Sequence, residues 1–469
     1  NQYPVKDFQD TYMLQLIDNS TELIEPSSGN IYIYKIRANR DGTIIALHNR
    51  LPSGRLPHEG SPWDYGFTVY EKTGSTWTQK GAKNTVVNCS SLSGNGNVLV
   101  GRASGGYNSV MRAYYRPETN DWKSGGLFGG TAKEIVGRKT SLSYDGNTAA
   151  LWISSSNTTN EGITGYMIPV KILGTYAGSI VNRNRVFIDN KWNLQDFYYG
   201  QYIDLNHEGD ILVTGDQFVT RVYKYNPSHT YTDNHNQGNR GYVAKTETNW
   251  EQIGGDINPE VLIPLQENGG STNGFASSNT NPINKEFGND AALSKNFTFQ
   301  TGSPFYSADH KLRVVIGTRT HGNFRGHTRV FEYDPTKTTE VTDQASADYG
   351  PVGWRRLGAS ILGEHEGDQS GSVVQMNETG NTIIITAPKN DDGGTDRGHI
   401  RVYKYESTGN TWNQLGSDFD GDETTGVSIG SDNFTSFSSD GKTLVIRDAT
   451  SNITTYELKR YTIPALPEA

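Results

Sequence analysis

The chain has 469 residues, of which 53 are glycine and 11% are aromatic, and a formal net charge of −9. That acidic balance, with no basic run, excludes general nucleic-acid binding. No apolar run approaches the roughly 18 residues of a membrane span, and a lone cysteine, Cys89, excludes an intrachain disulfide framework.

Many aromatics and glycines without long apolar stripes suit short strands joined by tight turns, and not helix bundles. Self-comparison finds one module repeated along the chain. Asp41-Gly42 opens the apolar run 43–47, followed by Phe67-Thr68-Val69-Tyr70 and then Trp77. Gly94-Asn95-Gly96-Asn97 opens 98–100, followed by 110–114 and a looser Trp122. Asp145-Gly146-Asn147 opens 148–151, with a worn copy at 166–170 and a loose Trp192. Glu208-Gly209-Asp210 opens 211–213, followed by 220–225, which holds Tyr223, and by Trp250. Asp309-His310-Lys311 opens 312–316, followed by 328–333 and Trp354. Gly380-Asn381 opens 382–386, followed by 400–405, which holds Tyr403, and by Trp412. Asp440-Gly441-Lys442 opens 443–446 and leads to 454–458.

Gly, Asn and Asp tolerate the positive φ that a tight hairpin needs, and the alternating runs after them read as strands. Seven such modules predict an all-β fold: a seven-bladed β-propeller of four-stranded antiparallel blades, one domain over 1–469. Ring closure is expected from 12–17 paired with 452–461. Segments near 226–249 and 265–295, rich in Asn, Gly, Ser and Thr, are expected to be loop insertions. Trp77, Trp250, Trp354 and Trp412 recur at one place in the module, as do Tyr70, Tyr223 and Tyr403. The reading favours packing between blades over a row of rings for sugar stacking.

Residues 353–421 keep the module best. They run from Gly353-Trp354-Arg355-Arg356-Leu357-Gly358 through Gly367-Asp368-Gln369-Ser370-Gly371 to Gly398-His399-Ile400-Arg401-Val402-Tyr403 and Trp412-Asn413-Gln414-Leu415-Gly416. This stretch resembles a propeller repeat of surface and secreted proteins of aquatic microbes and their viruses, similar to the FG-GAP repeats of integrin α-chains. The resemblance implies a propeller with an adhesive or structural role and no catalytic residues.

Integrin-like blades often carry a calcium loop, but Asn377-Glu378-Thr379-Gly380-Asn381 lacks the necessary run of carboxylates. Asp418, Asp420 and Asp422 form one candidate calcium loop. Asp391, Asp392 and Asp396, beside Asn390, form another. Each is weighed against a solvated acidic loop. No cofactor is required, and calcium is the cation these loops could take. His321 and His327 could reach one metal but lack a third ligand nearby. His365, between Glu364 and Glu366, reads as surface loop, and His399 as a structural residue at a strand entry. Gly426-Val427-Ser428-Ile429-Gly430 matches a hydrolase elbow as text, without the helix that motif needs.

The expected function is therefore a non-enzymatic structural or interaction propeller on a virion or cell exterior. Its partners would be other structural proteins of the same particle or matrix, or a host-surface receptor or glycan. A carbohydrate- or receptor-binding adhesin, and a secreted enzyme with its site in the propeller channel, are the alternatives.

Overall fold

The computed structural model describes residues 15–20, 32–52, 63–74, 76–82, 87–103, 109–129, 134–155, 165–172, 180–183, 202–215, 220–232, 246–257, 290–421, 429–431, 435–449 and 456–462. Within them, β1 is Gln15–Ser20. Sheet one holds β2 (Tyr32–Ala38), β3 (Ile44–Pro52), β4 (Trp63–Thr73) and β5 (Thr76–Gln79). Sheet two holds β6 (Val87–Leu92), β7 (Val98–Ala103), β8 (Ser109–Arg116) and β9 (Asp121–Gly129). Sheet three holds β10 (Glu134–Leu142), β11 (Thr148–Ser155), β12 (Gly165–Ile172) and β13 (Ile180–Arg183). Sheet four holds β14 (Tyr202–Leu205), β15 (Ile211–Gly215), β16 (Thr220–Thr232) and β17 (Thr246–Gln252). Sheet five holds β18 (Asp290–Leu293), β19 (Arg313–Thr318), β20 (His327–Tyr333), β21 (Trp354–Arg356) and β22 (Ile361–Leu362). Sheet six holds β23 (Val374–Met376), β24 (Thr382–Ala387), β25 (His399–Glu406), β26 (Thr411–Gln414) and β27 (Phe419–Asp420). The last sheet is built from β28 (Thr435–Phe437), β29 (Thr443–Ala449) and β30 (Tyr456–Thr462), with β1 added outside β30.

A polar side chain at the end of each first strand builds the turn that follows. Its oxygen accepts the backbone N–H five residues on, at 2.8–3.0 Å. The pairs are Asn39 with Ile44, Ser93 with Val98, Ser143 with Thr148, Asn206 with Ile211, Ser294 with Arg313, Asn377 with Thr382 and Ser438 with Thr443. The Ser294 pair spans nineteen residues, because sheet five carries a long insertion in this turn. Such side-chain caps replace the backbone partner that a tight turn removes.

The seven turns are then stitched to one another. Backbone N–H groups of Arg40, Asn95, Tyr144, His207, Asn296, Glu378 and Asp440 donate to the carbonyls of Gly94, Tyr144, His207, Lys295, Glu378, Ser439 and Arg40. The seventh bond returns to the first turn, so the circle is closed. The first strands lie side by side in the same order, β2 against β6, onward to β23 against β28, and β28 against β2. This is an all-β propeller with antiparallel blades. β1 pairs antiparallel with β30, Gln15 opposite Thr462 and Ser20 opposite Leu458, so both ends of the described chain share one sheet.

The core lies between sheets, where second strands bury both faces. Ile383, Ile384 and Ile385 are all fully buried, as are Val314 and Val315. Such strands read as continuous apolar runs. Packing between sheets also uses the tryptophans. Trp122 Nε1 donates to Lys80 O at 2.6 Å, Trp354 to Ile253 O at 3.0 Å and Trp412 to Leu357 O at 2.9 Å. Each acceptor belongs to the outer strand region of the preceding sheet, three residues past that sheet's own tryptophan. The glycine after each acceptor has positive φ and leaves room for the ring. A Cβ on Gly254 would stand 2.6 Å from Trp354 Nε1, and one on Gly81 2.6 Å from Trp122 Cδ1.

Two expectations are corrected. Seven four-stranded blades were expected, but among the described residues five sheets have four strands and two have five. In sheets five and six the chain turns back after its tryptophan strand and adds a fifth, β22 on β20 and β27 on β25. The expected insertions were also drawn too wide. Residues 226–232 and 246–249 extend the β16–β17 hairpin, and Asp290–Leu293 is an inner strand with Leu293 fully buried. Polar composition misled there because a strand at the tip of a long hairpin needs no apolar face.

Candidate metal centre

The fifth strand of sheet six sets His399 beside an acidic corner. His399 opens β25 and pairs with Ala387 on one side and Asp420 of β27 on the other. Its residue is fully buried. Asp418 precedes β27, six residues after Trp412. Glu364 comes from the connector that leaves sheet five after β22. His399 Nδ1 lies 3.3 Å from Glu364 Oε2, 3.7 Å from Asp418 Oδ2 and 4.0 Å from Asp420 Oδ1. Neither ring nitrogen of His399, nor Glu364 Oε2, has a hydrogen-bond partner among the described residues.

Burial pushes the His399 imidazole down to about 4, and Arg401 adds to the shift, while Asp418, Asp368 and Asp392 oppose it. The ring is therefore neutral at pH 7, and its approach to the carboxylates is not an ion pair. Burial raises the Glu364 carboxyl, with Asp418 and Asp392 adding and Arg401 opposing. Burial likewise raises Asp420, helped by Asp418 and Asp392. A neutral imidazole and crowded carboxylates are the donor set that a divalent cation takes. Tetrahedral ligands about 2.0–2.1 Å from a zinc ion stand roughly 3.4 Å apart, close to the spacing of Nδ1 to Glu364 and Asp418. The ligand atoms of Glu364, His399 and Asp418 all lie within 4.8 Å of one another.

Among the described residues the same corner of sheets four and five shows no such set, although His327 stands in sheet five where His399 stands in sheet six. In sheet four, Asp256 stands six residues after Trp250 and is forked by Arg221 at 2.8 and 2.7 Å. In sheet five, Ser360 takes that place and accepts from Arg329 at 3.1 Å. Arg401 of sheet six turns instead to Leu362 O at 3.1 Å and to Glu364 at 3.6 Å. Asp418 keeps Gln414 as its donor, at 2.5 Å, and presents its other oxygen to His399.

The calcium candidates divide accordingly. Asp418 belongs to the centre, and Asp420 borders it. Asp422 lies outside the described residues. Asp391 Oδ1 accepts the Asp396 N–H at 2.7 Å, and Asp396 pairs with Lys389 at 2.9 Å, so both are spent within their loop. Asp392 accepts from the buried Asn390 at 3.2 Å and acts on the centre only through its charge. His321 and His327 stack on one another with centroids 4.2 Å apart, and His365 is exposed. Trp77 and Trp354 are buried; Trp250 and Trp412 are partly so. Tyr70, Tyr223 and Tyr403 are buried in third strands. Residues 426–428 of the hydrolase-like text lie outside the described residues.

Sequence reasoning missed Glu364 and assigned His399 a structural role. One signal was available. His327 and His399 open the third strands of sheets five and six alike, but only His399 goes with the Asp that recurs six residues after Trp250 and Trp412.

No known protein family matches the chain, and no curated protein does. Among solved structures it is similar to an oligogalacturonate lyase in complex with manganese, at 12% identity and a TM-score of 0.41, covering 97% of this chain and 96% of that one. It is similar to an oligogalacturonate lyase from Vibrio parahaemolyticus, at 9% identity and 0.43, covering 97% of each. It is also similar to the β-propeller domain of the Trilobed protease from Pyrococcus furiosus, at 8% and 0.44, covering 93% and 94%.

The expectation of a chain without enzymatic role is corrected. Its own sheet six carries a candidate metal centre, which that expectation left out. The linear motifs were silent because the three candidate ligands come from separate segments that meet only in the folded sheet.

Proposed function

We propose that this protein works through a divalent metal ion held by Glu364, His399 and Asp418. The observation that carries the reading is the fully buried His399, whose Nδ1 faces carboxylates without a hydrogen bond. Leaving polar atoms buried without partners costs roughly 1–3 kcal/mol each. A bound cation removes that cost and relieves the repulsion among the carboxylates.

The imidazole favours manganese, zinc or a similar transition metal over calcium, which prefers oxygen ligands alone. Three protein ligands leave coordination positions open, as in catalytic rather than purely structural sites. An oxygen of a bound molecule would take such a position and be polarised there. The reading treats the seven sheets as a seven-bladed ring, with this centre among the loops on the face opposite the stitched turns.

Calorimetric titration of the metal-stripped protein with manganese and with zinc chloride tests it. One ion per chain is expected to bind. His399→Ala is expected to abolish that binding while keeping the far-ultraviolet spectrum of the parent. Equal uptake by the variant would overturn the reading.

A further inference from the structure

In the turn bonded to the connector that carries Glu364, the backbone does something costly. Gly322, Asn323 and Phe324 are consecutive residues with φ of 54°, 54° and 63°. Left-handed residues normally occur singly, and each non-glycine costs free energy. A phenylalanine there is an outlier even by that standard. The turn is held by the connector that carries Glu364. Gly367 N donates to Asn323 O at 3.1 Å, Gln369 N to Phe324 O at 2.7 Å and Ser370 N to Arg325 O at 3.2 Å. Asn323 Nδ2 also donates to Glu366 at 3.2 Å. The result of this conformation is an aromatic ring left half in water, 50% exposed. Leu362, at the other end of the same connector's attachment, is 43% exposed.

Packing does not explain a strained turn that exposes its apolar side chain. Binding does. We infer that Phe324 is a ligand-contacting residue, and that it and the metal centre together bind a neutral carbohydrate. The inference rests on the metal reading above.

The chemistry selects the class. A cation with open positions takes oxygen donors, and a sugar offers paired hydroxyls. The exposed ring takes an apolar face, which a pyranose presents through its C–H bonds. Anionic ligands are disfavoured, because Glu364, Glu366, Asp368, Asp391, Asp392, Asp418 and Asp420 outnumber the cationic side chains of the same segments, even with a dication added.

The test uses the full chain, loaded with manganese, on an array of neutral oligosaccharides ending in glucose, galactose or mannose, with an anionic uronate series beside them. Wild-type protein is expected to be retained on at least one neutral glycan and released by chelator. Phe324→Ala is expected to weaken retention about tenfold or more while manganese uptake, measured by calorimetry, stays unchanged. Phe324→Gly is expected to melt higher than the parent, because glycine relieves the backbone, and to lose retention all the same. Retention of Phe324→Ala at the wild-type level would overturn the inference, as would retention confined to the uronates or no retention of the metal-loaded wild type. Failure of the metal reading shows separately, as no manganese uptake by the wild type, and removes both.

Discussion

Arg40 of the first sheet and Glu378 of the sixth form a two-point ion pair across the turn of the seventh, Nε to Oε2 at 2.5 Å and Nη2 to Oε1 at 2.7 Å. Glu378 also lies 3.9 Å from His207 of the fourth sheet, so its carboxylate reaches over the middle of the circle of turns. The bond with Glu378 holds the Arg40 guanidinium above its ordinary range. Arg40 is 38% exposed and Glu378 only 12%, so solvent screens the pair in part. Glu378→Ala is expected to cost about 1–2 kcal/mol in urea unfolding. A double-mutant cycle with Arg40→Ala should show positive coupling. No coupling would mean that the backbone circle alone ties these sheets.

The tryptophan clamp gives a graded series. Trp354 is fully buried and bonded to Ile253 O, so Trp354→Ala is expected to cost about 3–5 kcal/mol. Trp412 is only partly buried and should cost less. Gly254→Ala places a methyl 2.6 Å from the Trp354 ring at φ +68°, and is expected to destabilise by at least about 1 kcal/mol. Equal melting temperatures for the Trp354 and Trp412 variants would contradict the burial order.

Six of the seven turns were legible because they obey local rules, with positive φ at Gly42, Gly96, Gly146, Gly209, Gly380 and Gly441. The Asp309-His310-Lys311 turn of sheet five has none and closes a longer insertion instead. Asp-Gly and Gly-Asn pairs supply positive φ, and the buried run follows at once. The capping residue, five positions earlier in every sheet but the fifth, was overlooked, since Asn and Ser look like ordinary loop residues. The fifth strands were not legible. Ile361–Leu362 and Phe419–Asp420 are two residues long, and only their pairing with β20 and β25 makes them strands. The metal centre depends on that pairing. Asp418 was singled out as acidic, but nothing linear joins it to Glu364 or makes His399 the neutral ring between them.

His207 makes stability depend on acid. Burial pushes its imidazole down to about 3, Lys295 and Arg40 lower it further, and the hydrogen bond with Asn296 opposes them. It packs against Tyr144 and Phe305, with ring centroids 5.6 and 5.1 Å away. The unfolded chain binds this proton near pH 6.5 and the folded chain only far lower. Stability is therefore full above about pH 6.5 and falls as pH drops toward the folded value, by up to about 1.4 kcal/mol per unit. In metal-free protein His399 acts with the same sign, down to about 4. Urea midpoints are expected to decline from pH 7 to pH 5, and His207→Asn to flatten that decline. An unchanged slope in the variant would exclude His207 as the source.

Asp256 and Asp418 occupy one place in the repeat and should respond differently to one substitution. Asp256 is forked by Arg221 and is 40% exposed, so Asp256→Asn is expected to cost only about 0.2–1 kcal/mol and to leave metal uptake alone. Asp418 accepts from Gln414 and turns its second oxygen to His399. Asp418→Asn removes a charged ligand and relieves carboxylate repulsion at the same stroke. The metal-free variant should therefore be as stable as the parent or more so, while its affinity for manganese drops by about tenfold or more. Paired titrations of the two variants read this directly. If both lose uptake equally, the loss comes from the fold; if neither does, Asp418 is not a ligand.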